Sequence, residues 1–186
     1  MTGRKQLTIV ALFVGLVLVL LAAGRTLLRD ELSPVGVGAQ APDFDAKTLG
    51  DKPSDKKLED YRGTVLMINL WATWCEPCRV EMPSIERLHQ DYSSKGLKVV
   101  AISVDDPGTD EQVMSFVKQY NLSFEILRDP KGQVGDISRD YQTTGYPETV
   151  IVGRDGVIRK KLLGAHNWNS PENRALIERL LAEKAE

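Results

Sequence analysis

The chain has 186 residues, 42% hydrophobic and 27% charged, which suffices for one packed domain and an appendage. Its 24 basic and 26 acidic residues give a formal net charge of −2, and setting aside Arg4 and Lys5 leaves 22 against 26, a net of −4. With no run of Lys or Arg to neutralise phosphates, this balance excludes sustained contact with DNA or RNA.

Taken in chain order, the first feature is an uncharged, mostly apolar stretch from Leu7 to Gly24, preceded by Arg4 and Lys5 and closed by Arg25. At about 1.5 Å per residue a helix of this length nearly crosses a hydrocarbon core of roughly 30 Å. The positive-inside rule keeps residues 1–6 in the cytoplasm, although Arg25 and Arg29 weaken the bias, and residues 7–24 read as a single-pass anchor. A cleaved secretory signal is the competing reading, because Ala22-Ala23-Gly24 offers small residues to a signal peptidase. A lipoprotein signal is excluded, since Arg25 stands where the lipidated cysteine is required. Either reading exports the rest of the chain, so the folded part is expected on the extracytoplasmic side of the cytoplasmic membrane.

Residues 25–40, with Ser33-Pro34-Val35-Gly36-Val37-Gly38, read as a tether, and the folded domain is expected over 41–186. Thr64–Trp71 and Lys98–Val104 are nearly continuous apolar runs of the kind buried on both faces of a sheet. Between them Ile85, Leu88 and Tyr92 recur at helical spacing from about Cys75, which predicts a strand, a crossover helix and a parallel strand. Asp110 and Glu111 open a second helix with Val113, Phe116, Val117 and Tyr120 on one stripe. Glu148–Val152 and Val157–Leu163 flank Asp155-Gly156 and predict an antiparallel hairpin. Ser170 caps a last helix, with Pro171 in its first turn and Leu176, Ile177, Leu180 and Leu181 on its buried face. The order β-α-β-α-β-β-α predicts an α/β fold, a central mixed sheet with helices on both faces, preceded by one transmembrane helix.

The two cysteines, Cys75 and Cys78, are separated by two residues, so their disulfide closes no long loop and the pair serves chemistry or metal. A C-x-x-C at a strand-to-helix junction reads as thioredoxin-like. There Cys75 meets the helix N-terminus, whose free N–H groups and dipole favour a thiolate, making it the nucleophile. Cys78, one turn on and more buried, is the resolving cysteine. Zinc needs four ligands; only His89 and His166 remain, and His89, taken as a solvated helix residue, lies too far down the same helix. No metal and no cofactor are expected. A non-enzymatic copper chaperone using both sulfurs, a peroxidase of related fold and a disulfide-forming oxidant are the alternatives.

Four stretches carry a resemblance over about Ala41 to Ala182: Ala41-Pro42-Asp43-Phe44; Leu58–Gly63; Asn69-Leu70-Trp71-Ala72-Thr73-Trp74-Cys75-Glu76-Pro77-Cys78 with Glu81-Met82-Pro83; and Gly145-Tyr146-Pro147-Glu148-Thr149. The chain resembles the membrane-anchored thioredoxin-like thiol–disulfide oxidoreductases of the TlpA/ResA and DsbE type. That resemblance implies a thioredoxin-like fold and a reductase of protein disulfides. Members often serve cytochrome c maturation by keeping the haem-attachment cysteines of apocytochrome c reduced; this chain is in turn expected to be re-reduced by a membrane thiol donor carrying electrons from the cytoplasm. It implies that Pro147 follows a cis peptide and faces the sulfurs, with the Tyr146 backbone offered to an extended substrate. It also gives Glu81, three residues after Cys78, the place of the acid beside the disulfide, against the alternative of a solvent-facing helix charge. Glu148 follows the same proline, with an exposed strand residue as its alternative. Trp74 and Trp71 are expected around the site, and Trp168 has no assigned role. The intervening Glu76-Pro77 brings no positive charge to Cys75, which favours the reductant direction.

Overall fold

The computed structural model describes residues 2–27 and 34–183. It divides into two compact units, residues 1–34 and 35–186. The first contains one helix, α1 (Thr2–Leu27). Among the described residues no helix is long and apolar enough to cross a membrane. Within α1 the side chains of residues 2, 4–6, 8, 11 and 21–27 lie outside the described ones, so the spanning expectation for 7–24 is carried by the sequence. Residues 28–33 of the expected tether also lie outside the described residues.

The second unit begins earlier than expected, at Val35 rather than Ala41. Gly38 donates its N–H to the Ile158 carbonyl, Ile158 returns a bond to Ala39, and Gln40 bridges Val157. The segment read as tether therefore covers a sheet edge whose peptide groups would otherwise be unpaired.

The strands are β1 (Asp45–Thr48), β2 (Asp55–Lys57), β3 (Val65–Trp71), β4 (Leu97–Ser103), β5 (Glu125–Arg128), β6 (Glu148–Val152) and β7 (Ile158–Leu163). They form one sheet in the order β2-β1-β5-β4-β3-β6-β7. The three central neighbours β3, β4 and β5 run parallel, while β6, β7, β1 and β2 pair antiparallel. The helices of this unit are α2 (Glu76–Tyr92), α3 (Asp110–Gln119), α4 (Asp136–Asp140) and α5 (Pro171–Ala182).

Because β3 lies between β4 and β6, every residue of it is buried, and its alternating side chains feed two cores. Val65, Met67 and Trp71 join Ile85, Leu88 and Tyr92 of α2, Val113 and Phe116 of α3, and Ile177 and Leu180 of α5. Leu66, Ile68 and Leu70 join Ile137 of α4 and Tyr141 on the other face. Leu176 and Leu181, expected on the buried face of α5, are only partly buried at its margin. The predicted hairpin closes through Gly156, whose φ of +79° is the left-handed conformation that an Asp-Gly turn requires.

Strands β1, β2 and β5 and helix α4 are absent from the sequence reading. Asp55-Lys56-Lys57 carries no apolar alternation, and Asp45–Thr48 has one apolar residue. Their strand state comes from pairing with β5 and with each other, which is a tertiary effect.

Candidate active site

At the C-terminal end of β3 the chain turns through Ala72-Thr73-Trp74 into α2. Asp105, buried just beyond β4, fixes that turn: its carboxylate accepts the Thr73 N–H at 3.0 Å and the Thr73 hydroxyl at 2.6 Å. The Ser103 hydroxyl, donating at 2.7 Å, holds the carboxylate in place. Cys75 is the N-cap of α2, its Sγ accepting the Cys78 N–H at 3.3 Å, and Pro77 sits in the first turn, where its missing N–H costs nothing. The sulfur thus lies where an anion meets unpaired helix N–H groups. Cys75 and Cys78 are joined as a disulfide, with Cα atoms 5.3 Å apart. Cys78 is fully buried and Cys75 is 5% exposed, the order expected of resolving and attacking cysteines.

Glu76 is the outermost of the predicted site residues, its side chain 79% exposed, with one oxygen 3.8 Å from Arg79. Arg79 folds back and donates from Nη2 to the Thr73 carbonyl at 2.8 Å. The absence of positive charge argued from Glu76-Pro77 therefore needs a correction: a guanidinium from the next turn stands at the motif, matched by Glu76.

The Tyr146–Pro147 peptide is cis. The Pro147 carbonyl accepts the Gly164 N–H at 2.7 Å, and the Tyr146 hydroxyl pairs with Ser138 Oγ at 2.8 Å. Trp74, 54% exposed, packs edge-on against Tyr146 with ring centroids 6.0 Å apart. Trp71 lies behind the site in the core, 4.7 Å from the Phe116 ring centroid.

A family model described as the AhpC/TSA family matches residues 37–161. The chain belongs to the AhpC/TSA family. A thioredoxin-like protein of Bacillus subtilis (strain 168), YneN, is 45% identical over 123 residues, 66% of this chain and 68% of that protein. The thiol–disulfide oxidoreductase ResA of Oceanobacillus iheyensis is 36% identical over 140 residues, covering 74% and 70% of the two chains. Among solved structures, a putative thiol:disulfide interchange protein DsbE from Chlorobium tepidum superposes with a TM-score of 0.62 at 30% identity, covering 78% of this chain and 94% of that one. With the Cys75–Cys78 pair at the head of α2, this AhpC/TSA chain is a thiol–disulfide oxidoreductase on a thioredoxin-like α/β fold.

Within the family chain, Glu81 sits one helical turn beyond Cys78 and is 1% exposed. Its Oε1 accepts from Trp168 Nε1 at 2.7 Å, Thr149 Oγ1 at 2.9 Å and Asn69 Nδ2 at 3.1 Å, and its Oε2 accepts the His166 N–H at 3.2 Å. Burial pushes the carboxyl above its ordinary pKa, and the Thr149, Trp168 and His166 donors oppose that shift without cancelling it. The solvent-facing alternative for Glu81 is thereby removed.

Glu148 is also buried, 4% exposed, because β6 is flanked by β3 and β7. It accepts from Thr143 Oγ1 at 2.7 Å and lies 3.6 Å from Lys161 Nζ. Burial raises its pKa against both partners. The exposed-strand alternative does not describe it.

His89 departs from the solvated position expected of it. It is half-buried against the Phe124 ring, its Nδ1 has no partner among the described residues, and burial lowers its pKa. Phe124 leads into β5, the strand the sequence reading lacks. Asn69, Thr149 and Trp168 are the site residues that reading missed. The available signal was polar: Asn69 interrupts an otherwise apolar buried run, and such a group needs a partner.

Proposed function

We propose that this protein is an extracytoplasmic reductase of protein disulfides, held at the cytoplasmic membrane by residues 7–24 and serving apocytochrome c. The observation that carries the direction is the buried Glu81 carboxyl one turn behind Cys78. A carboxylate there opposes a neighbouring thiolate and offsets the helix dipole, while the Arg79 charge is matched by Glu76. Weak thiolate stabilisation favours the disulfide form, so the dithiol gives up its electrons readily. The anchor is supported by α1, in which Leu7, Val10, Leu12, Phe13, Leu16, Val17, Leu18 and Val19 are all exposed, an apolar surface around the helix.

The reaction is two exchanges. The Cys75 thiolate attacks one sulfur of the client disulfide, forming a Cys75–client bond and expelling one client thiolate. Cys78, deprotonated, then attacks Cys75 Sγ, closes the Cys75–Cys78 bond and expels the second client thiolate. Two electrons pass to the client, whose thiolates take up two protons. A membrane dithiol donor restores the Cys75–Cys78 dithiol by the reverse exchange. Glu81 takes the Cys78 proton and returns it, a role its raised pKa suits. The Tyr146 backbone beside Pro147, with Trp74 against its ring, receives the client strand.

A full-length Cys78→Ser variant stalls at the mixed disulfide, and mass spectrometry of the captured species from cells is expected to return apocytochrome c. A broad, unrelated catch defeats that client. A membrane-impermeant maleimide is expected to label Cys75 of this variant in intact cells after mild reduction, and labelling only after lysis defeats the location. A reduction potential near the roughly −120 mV of a strong dithiol oxidant reverses the direction.

A further inference from the structure

Trp168 takes no part in the exchange steps, yet it is fully buried and its indole reaches the acid beside the disulfide. It is held there from behind: its main-chain N–H donates to Ser84 Oγ at 3.0 Å, and the Ser84 hydroxyl in turn donates to the Glu81 main-chain carbonyl at 2.8 Å. Helix α2 and the loop after β7 are thus tied together at the carboxyl.

The two oxygens of Glu81 are treated differently. Oε1 faces Trp168, Thr149 and Asn69, while Oε2 faces the main-chain N–H of His166. Two of the three groups on Oε1 can reverse their role. A threonine hydroxyl rotates to accept, and an asparagine amide can turn its oxygen inward. The indole N–H is a donor only. A proton on Oε1 would point at that N–H, so Trp168 commits Oε1 to accepting. The His166 main-chain N–H is likewise a donor only, but it is a single donor against three and leaves Oε2 a lone pair for a proton.

We infer that Trp168 is a positioning residue for disulfide exchange: its indole N–H fixes Oε1 of Glu81 as an acceptor and thereby directs the exchangeable proton to Oε2. The inference rests on the reading of Glu81 as the group that handles the Cys78 proton. The ionisable neighbour of Glu81 is His166. On β7, Lys160 reaches the Trp168 ring, 5.8 Å from its centroid, and bonds Asn173. On β6, Glu148 turns instead to Thr143 and Lys161.

The test is the pH profile of iodoacetamide alkylation of the reduced full-length chain, in which the Glu81 titration appears as an inflection separate from that of Cys75. Glu81→Gln is expected to remove that inflection. Trp168→Phe, which keeps an aromatic ring and deletes the N–H, is expected to move it up by about one pH unit, because a donor to the charged form is lost. In the Glu81→Gln background Trp168→Phe is expected to change nothing further. If Glu81→Gln leaves the profile intact, the reading of Glu81 falls and this inference with it. If Glu81→Gln removes the inflection while Trp168→Phe leaves it in place, or if Trp168→Phe alters the profile equally in both backgrounds, only the role of Trp168 is overturned. Should Trp168→Phe not melt cooperatively, benzothienylalanine at position 168 preserves the bicyclic shape without the N–H and is read against the same outcomes.

Discussion

A Cys75→Ser variant, reduced and full-length, is expected to lose reduction of a disulfide peptide by at least about a thousandfold while keeping its fold. The size follows from chemistry: no other free thiol exists in the chain once Cys78 is set aside, and Cys78 is fully buried at the third position of α2. A serine hydroxyl at the helix cap still accepts the N–H of residue 78, so the local structure survives. What disappears is an ionisable sulfur at the helix N-terminus. Cys78→Ser behaves differently, because the first exchange still occurs and a stoichiometric mixed disulfide accumulates without turnover. Retention of a tenth or more of the wild-type rate by Cys75→Ser would falsify the assignment of the nucleophile.

The second large effect is on stability. Lys161→Met removes the cation 3.6 Å from Glu148, in a pair whose side chains are only 15% and 5% exposed. The Lys161 ammonium also donates to the Tyr141 carbonyl at 2.6 Å and the Val35 carbonyl at 3.3 Å, so the change strips two more acceptors. Leaving one partner of a buried pair uncompensated costs about 2–4 kcal/mol, well beyond the effect of the surface ion pairs elsewhere on the domain. The pH dependence has a definite sign. Burial already holds the Glu148 pKa above its unfolded value, so its protonation stabilises the folded state below the unfolded pKa and that contribution is lost as pH rises through the folded pKa. Removing Lys161 raises the folded pKa further. The deficit of the variant in urea titrations at fixed pH is therefore expected to be largest at neutral pH and to shrink as pH falls through the carboxylate range. Adding Glu148→Gln is expected to restore part of the loss at neutral pH. A deficit that does not vary with pH would show that Lys161 acts through its carbonyl contacts alone.

These two experiments probe different layers of the same site. Cys75 caps α2 with Cys78 buried one turn behind it, whereas Glu148, the residue after Pro147, and Lys161 join β6 to β7. The strand that follows the cis Tyr146–Pro147 peptide is stapled to its neighbour by a buried ion pair, and α2 is tied to β3, β6 and the loop after β7 through Glu81.

The sequence by itself determined the cysteine pair, its place at a strand-to-helix junction, the strand–helix–strand unit around it, the closing hairpin and the last helix. Each is local: alternation, helical spacing, a cap and an Asp-Gly turn act within a few residues. Only the tertiary structure decided the rest. Strands β1, β2 and β5 lack a pattern of their own and exist through their ladders, and with β5 came Phe124 and the half-burial of His89. The acid cage was equally hidden. Asn69, Thr149 and Trp168 lie 12, 68 and 87 residues from Glu81, and whether that carboxyl faces water or three side-chain donors is fixed by packing across the sheet. Burial and partner choice are properties of the assembled core, and for Glu81 and Glu148 they set the energy of the proton.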